Sequence, residues 1–320
     1  MNKSFEDIYL LAKKSNSPFC IVLIDSCQEL SREYSLHLCG DYRYLAKKSI
    51  YNFINIRTLK NEWYLKWLCP ISMPLTCVFS SEGRLLDLIP GSDKESFLYV
   101  EKALTTMTTT EYHWPNQFQM NKIAVLPFLN SILFNKRNLD RGVYIPDDID
   151  RVIDSLSYPY SYYLKLTGAL MIHDSIEAES AAKYLLNLKT PYIMDLYKNE
   201  FITANKVLNK DYEVDNDAVI QIENDSVNLF NCKINENFPV NINVYNVGCK
   251  PLIISKIHTS CSCIEELDKK DEIIINPKHS VVLKFNFNPD VKGDVYRSIY
   301  IASNAINMPI FHITIVATVV

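Results

Sequence analysis

The sequence predicts a multidomain protein of mixed α/β plus all-β class, with an α/β domain at residues 1–108, a helical segment at 109–209 and an antiparallel β-sandwich at 210–320. Three observations predict it. Helix-period and strand-period stretches alternate through the first segment. Apolar residues at helical spacing dominate the second. From residue 240 onward, short β-branched and aromatic runs are punctuated by Gly, Pro and Asn.

In the first segment, Ser4 followed by Asp7 forms a capping-box start, and Phe5, Ile8, Tyr9 and Ala12 give the helix 5–15 one apolar face. "FCIVLID" (19–25) is apolar on both faces, as a central strand is. From Ser26 the pattern returns to helix and stops near Gly40. "YNFINIR" (51–57) alternates as a strand, "PLTCVFSSEGRLLDLIPG" (74–91) reads as a hairpin turning at "SSEG", and "KESFLYVEKAL" (94–104) as a helix. In the second segment, Ile149, Val152, Ile153 and Leu156 form a helical stripe behind "PDDID", whose acids suit a helix start. "EAESAAKYLLNL" and "YIMDLYKNEFITANKVL" add two more helices, with Pro191 heading the last. After the polar stretch 209–217 come "VNINVYNVG", "LIISKIHTS", "EIIIN", "VVLKFNFN", "RSIYIASN" and "IFHITIVATVV", a train of strands that suits a sandwich of the immunoglobulin type.

Composition excludes several functions. With 33 basic and 37 acidic residues, and neither sign in a long run, the chain has no electrostatic footprint for nucleic acid. No stretch approaches the roughly 20 apolar residues that a membrane helix needs. The N-terminus carries acids and a helical pattern where a signal peptide has a basic region and an apolar core. Nine cysteines, an odd number without a Cys-x-x-Cys pair, give neither a complete disulfide framework nor a zinc site. There is no Gly-rich phosphate loop, so no cofactor and no metal are expected. The aromatic groups 112–114 and 158–163 suit either a binding groove or internal packing.

Cys27 follows the strand "FCIVLID" where a helix begins, and "SMPLTCVFSSEG" places Pro74 ahead of a second strand with Thr76 two positions on. This arrangement resembles the thioredoxin fold, and the resemblance implies a cis bond between Met73 and Pro74 and a site built on Cys27 and Pro74. The family's Cys-x-x-Cys reads Cys27, Gln28, Glu29, Leu30 here, so no thiol stands where the mixed disulfide would be resolved. Asp25 and Glu29 are expected to disfavour a thiolate at Cys27. The reading preferred is an inert residue on a degenerate scaffold, and the alternative is a single nucleophilic thiol.

The C-terminal segment resembles a second family, the domain of unknown function 1573, an immunoglobulin-like module. The residues that carry this are "NVGCKPLIISKIHTSCSCIEE" (246–266), "INPKHSVVLKFNFNP" (275–289), "KGDVYRSIYIASNA" (292–305) and the closing strand. In an extended strand Cys261 and Cys263 would lie roughly 6.5 to 7 Å apart, at the upper limit for a disulfide. A switchable disulfide and, with His258, a soft-metal clip are the sharper readings; the one favoured is two thiols that pack or stay free. The two resemblances together imply a non-enzymatic binding protein of the periplasm or cell envelope of a Gram-negative bacterium, with or without a lipid anchor. Its partner would be another protein or an envelope glycan, and the alternative is a monothiol thiol-disulfide oxidoreductase or redox sensor.

Overall fold

The computed structural model describes residues 3–116, 118 and 120–320, and the chain divides into two compact units, Met1–His173 and Asp174–Val320. The division falls inside the stretch 109–209, because its first helices pack on the N-terminal sheet and its last ones on each other and on the C-terminal strands.

The first unit runs α1 (Phe5–Ser15), β1 (Phe19–Ile24), α2 (Glu29–Cys39), α3 (Leu45–Lys48), β2 (Ile50–Asn55), α4 (Glu62–Leu68), β3 (Leu75–Phe79), β4 (Leu85–Pro90), α5 (Lys94–Thr106), α6 (Lys122–Asp140), α7 (Pro146–Ser155) and α8 (Pro159–Met171). Its sheet has the order β2-β1-β3-β4. β1 and β2 are parallel, and β3 is antiparallel to both β1 and β4. β1 is central and apolar on both faces, so it demands cover on each side. Cys20 and Val22 face a core built with Tyr34 and Leu38 of α2 and Phe97, Val100 and Ala103 of α5. On the opposite face Phe19 stacks on Phe79 at 4.7 Å, and Phe5 of α1 meets both rings edge-on. The capping box of Ser4 and Asp7 fixes where α1 begins and so where Phe5 enters that face.

Two predicted elements differ at their ends. The helix expected from Ser26 begins at Glu29, because the Cys27 N–H donates to Asp25 Oδ1 at 3.0 Å and closes a turn over residues 25–28. β2 ends at Asn55 rather than at Arg57, because the Asn55 side chain accepts the Arg57 N–H at 3.2 Å in the same kind of turn. The hairpin between β3 and β4 turns through Gly83 at φ 78°, where a Cβ would lie 2.8 Å from the Tyr9 ring. Only glycine fits there.

Residues 107–116 form no helix, although they lie within or beside the predicted helical segment. Thr109 and Thr110 lie against β4, the first donating its hydroxyl to the Leu86 carbonyl at 2.8 Å and the second held by a carboxylate. Asp87 is fully buried in β4 and accepts the Thr110 N–H at 2.9 Å, the Thr110 hydroxyl at 2.6 Å and the Leu88 N–H at 2.8 Å. The Lys122 ammonium, at the first turn of α6, closes on the same carboxylate. Burial pulls the Lys122 amine below its usual value while Asp87 opposes that shift. Behind this contact, Trp67 of α4 donates its indole N–H to the Leu129 carbonyl of α6 at 2.9 Å. α7 and α8 complete the unit, and Gly168 is required where α8 meets Tyr144, whose ring a Cβ would overlap at 2.1 Å.

The second unit begins with α9 (Ser175–Asn187), α10 (Pro191–Leu196) and α11 (Lys198–Leu208), followed by nine strands: β5 (Ile220–Ile222), β6 (Ser226–Cys232), β7 (Phe238–Asn246), β8 (Leu252–Thr259), β9 (Ile264–Glu266), β10 (Ile273–Ile275), β11 (Ser280–Phe287), β12 (Gly293–Ser303) and β13 (Ile310–Val319). They form two sheets, β10-β8-β12-β13-β6 and β5-β7-β11-β9. Alternate residues of both point into one core, including Val244, Phe285 and Phe287 from one sheet and Ile254, Ile299 and Ile313 from the other. One pairing departs from the antiparallel expectation, since β6 joins β13 in parallel.

Replacing one partner of a buried ion pair strands the other charge, at a cost of about 3 kcal/mol or more. Lys122→Met is therefore expected to lower the stability of the first unit by about that amount, read by tryptophan fluorescence in urea. Trp63, Trp67 and Trp114 are the chain's three tryptophans and all lie in this unit. Adding Asp87→Asn to it should recover part of the loss; a Lys122→Met midpoint equal to the parent's would sink the assignment.

Candidate functional site

Strand direction gathers the sequence-predicted residues of the first unit at one end of its sheet. β1 and β2 both finish there, β3 starts there and β4 ends there, with Ile24 opposite Asn55 and Leu75 opposite Pro90. The loop Asp25–Gln28, Arg57 and Pro74 therefore share one end. The Met73–Pro74 bond is cis, and the Pro74 carbonyl accepts the Gly91 N–H at 2.9 Å. Pro74 is buried, so it shapes the sheet end from within.

Cys27 is exposed and carries a free thiol. Its loop is organised by Asp25, whose carboxylate takes a two-pronged ion pair from Arg57, Nε to Oδ1 at 2.6 Å and Nη2 to Oδ2 at 2.9 Å. The Asp25 N–H in turn donates to the Ser31 hydroxyl of α2 at 3.1 Å. Arg57 holds the Asp25 carboxyl below the usual carboxylate range, chiefly through these hydrogen bonds. This corrects one step of the sequence argument, in which Asp25 acts as a bare negative charge beside Cys27. Its charge is matched by Arg57. Sequence reading misses Arg57 because 32 residues separate the partners; the signal is a lone basic residue ending "YNFINIR", one step past the register of a parallel neighbour.

None of the other cysteines of this unit is bonded to Cys27. Cys39 is exposed at the far end of α2, whose 11 residues span about 16 Å. Cys20 and Cys77 are buried in the sheet, where burial raises both thiols, Cys20 to about 12. Cys69 is buried, takes a hydrogen bond from the Tyr158 hydroxyl and is pushed up to about 11. Leu30, at the fourth position of the motif, is half exposed on α2.

In the second unit, Cys261 and Cys263 form a disulfide with Cα atoms 5.2 Å apart. The favoured expectation of two free or packed thiols gives way, because these residues sit in the turn between β8 and β9 and not in an extended strand. The turn carries the chain from one sheet to the other, and its sulfurs cap one end of the shared core. Cys263 is buried, Cys261 is partly exposed, and the Arg297 Nε–H of β12 donates to Cys263 Sγ at 3.3 Å. His258 points away from this pair: it stacks against Tyr300, which stacks in turn against His312 at 4.9 Å, a ladder across β8, β12 and β13. The soft-metal clip is thus not assembled, and no cluster of three metal-ligating side chains occurs among the described residues.

The aromatic segments divide. Tyr112, His113 and Trp114 line a cavity of about 610 Å³ together with Ile71, Asn116 and Lys122. Tyr158, Tyr160 and Tyr162 are buried and serve packing. Asp147 and Asp148 occupy the first turn of α7, where acids suit the helix dipole.

A carboxyl held low in the folded state stabilises above its unfolded value, about 3.9, and loses that contribution as pH falls through its folded value. Arg57→Ala removes the cause of the depression, so acid unfolding of the first unit should begin at a higher pH than in the parent, followed by tryptophan fluorescence between pH 6 and 2. Identical acid transitions would contradict the pairing.

Residues 220–319 match the profile of a family described as protein of unknown function (DUF1573). Comparison with curated proteins gave no match. Among solved structures, a protein of unknown function from Porphyromonas gingivalis W83 aligns with a TM-score of 0.29 and 19% identity, over 34% of this chain and 50% of that one. The ASH/PapD-like domain 7 of human CEP192 aligns with a TM-score of 0.28 and 9% identity, over 32% of this chain and 84% of that one. The YadV chaperone gives 0.25 and 12%, over 31% and 51%. The chain spans half the length of the Porphyromonas protein. Its C-terminal sandwich, over residues 220–319, is thus a module similar to the DUF1573 family.

Proposed function

We propose that the chain is a non-enzymatic binding protein of the periplasm or cell envelope of a Gram-negative bacterium, built from a thioredoxin-like domain that has lost dithiol chemistry and an immunoglobulin-like module. The observation that carries this reading is the isolation of Cys27. Turnover of disulfides by a dithiol requires a second sulfur to resolve the first mixed disulfide, whereas here Leu30 occupies that position and Cys39 lies at the opposite end of α2. The thioredoxin-like assignment is supported by the strand order β2-β1-β3-β4, by the cis bond before Pro74 and by the placing of Cys27 directly after β1.

The extracytoplasmic location is supported by the Cys261–Cys263 disulfide, since such bonds persist in oxidising compartments. The partner is another protein or an envelope glycan. The ladder of His258, Tyr300 and His312 offers it a row of ring faces on the open side of the five-stranded sheet, Tyr300 being 39% exposed. A second reading, a monothiol oxidoreductase using Cys27, is supported by the exposure of that free thiol at the sheet end that also holds Pro74.

Cys27→Ser should leave unchanged both the rate at which the purified chain, supplied with a thiol reductant, reduces a protein disulfide and the unfolding midpoint. Turnover that disappears in Cys27→Ser would establish the monothiol enzyme instead.

A further inference from the structure

The Cys261–Cys263 pair has three properties that bear on its chemistry. The two sulfurs differ in access: Cys261 is partly exposed beside the exposed Ser262, whereas Cys263 is 8% exposed and packed in the core. They differ in electrostatics, because only the Cys263 sulfur takes a hydrogen bond from a guanidinium, that of Arg297 at 3.3 Å. Arg297 is held in place by its position on β12 and by Asp290 at 3.6 Å.

The third property is that the turn is fixed by contacts other than the S–S bond. The Ser260 N–H donates to the Ser298 carbonyl at 2.9 Å, the Ser298 N–H to the Ser260 hydroxyl at 2.8 Å, and the Asn288 N–H to the Cys263 carbonyl at 2.8 Å. The Thr259 hydroxyl donates to the Cys261 carbonyl at 3.1 Å. Opening the disulfide leaves these in place, so the two sulfurs stay near each other and can close again.

We propose that Cys261–Cys263 is a reversible thiol-disulfide exchange site, at which an external thiol attacks Cys261 and Cys263 departs as a thiolate held by Arg297. In the first step the external thiolate forms a bond to Cys261 Sγ, the S–S bond breaks, and its electron pair passes to Cys263 Sγ. A second external thiolate then attacks the external sulfur of the mixed disulfide and releases Cys261. The balance is one protein disulfide and two thiols giving one protein dithiol and one external disulfide, with the two thiol protons ending on the protein cysteines. A leaving thiolate that is better stabilised leaves faster, and a charge-assisted hydrogen bond supplies that stabilisation. The substrate class is a small thiol or the exposed thiol of another protein. This goes beyond the binding function and does not depend on it, since Cys27 takes no part.

The test uses the full-length oxidised chain and reduced glutathione, with acid quenching, alkylation and peptide mass mapping over time. The mixed disulfide should form on Cys261, and Arg297→Gln should slow opening about tenfold. Arg297→Lys, which keeps the charge, should stay within about threefold of the parent. Glutathione on Cys263, no opening by millimolar glutathione, or an unchanged rate in Arg297→Gln would each overturn the proposal. Should Arg297→Gln fail to fold, judged by circular dichroism, the adduct position on the unsubstituted chain decides alone.

Discussion

A carboxylate in the middle of a buried strand sets the terms for the whole first unit. Asp87 has no exposure to water, and an ionised carboxylate there is tolerable only if donors converge on it. Besides the Leu88 N–H of the same strand, those donors come from outside the sheet, from Thr110 and Lys122, so Thr110 must lie against β4 before α6 starts. Two consequences follow. The edge of β4 is covered rather than left to pair with another chain, and the segment Tyr112–Trp114 is carried to the wall of the cavity above Lys122. An apolar replacement of the whole cluster could match its stability, since buried pairs contribute little net energy. What the cluster supplies is one path for the chain.

At the end of the sheet a similar logic operates with a smaller charge pair. Asp25, paired with Arg57, accepts the Cys27 N–H and so closes the turn that presents Cys27 and delays α2 until Glu29. The thiol is thereby left exposed and unbonded to the unit's other sulfurs. In the second unit, Cys261 and Cys263 are already joined and a different arginine touches the buried member of the pair. The cysteines singled out by sequence thus comprise an exposed free thiol at the end of the first unit's sheet and a closed pair in the second unit.

Much of the architecture was legible because it rests on local pattern. Ser4 and Asp7 announce α1, the apolar run 19–24 announces a central strand, and the period-two runs after residue 240 announce the sandwich. The cis bond at Pro74 was legible through resemblance. What escaped depends on contacts across long separations. Arg57 reaches back 32 residues to Asp25, and Arg297 reaches back 34 to Cys263. The disulfide escaped because the strand geometry assumed for Cys261 and Cys263 is replaced by a turn, which brings their Cα atoms to 5.2 Å. The role of Asp87 did leave a trace, a single acid within the apolar run "LLDLIP", where a lone charge signals a buried partner elsewhere.

The division of sulfur chemistry between a lone thiol and a closed pair is tested most directly by differential alkylation of the native, unreduced chain, with one label before reduction and a second after it. Cys27, Cys39 and Cys249 are exposed free thiols and should take the first label, whereas Cys261 and Cys263 should take only the second. Protection of Cys27 until reduction would mean that it has a disulfide partner, and would contradict the account.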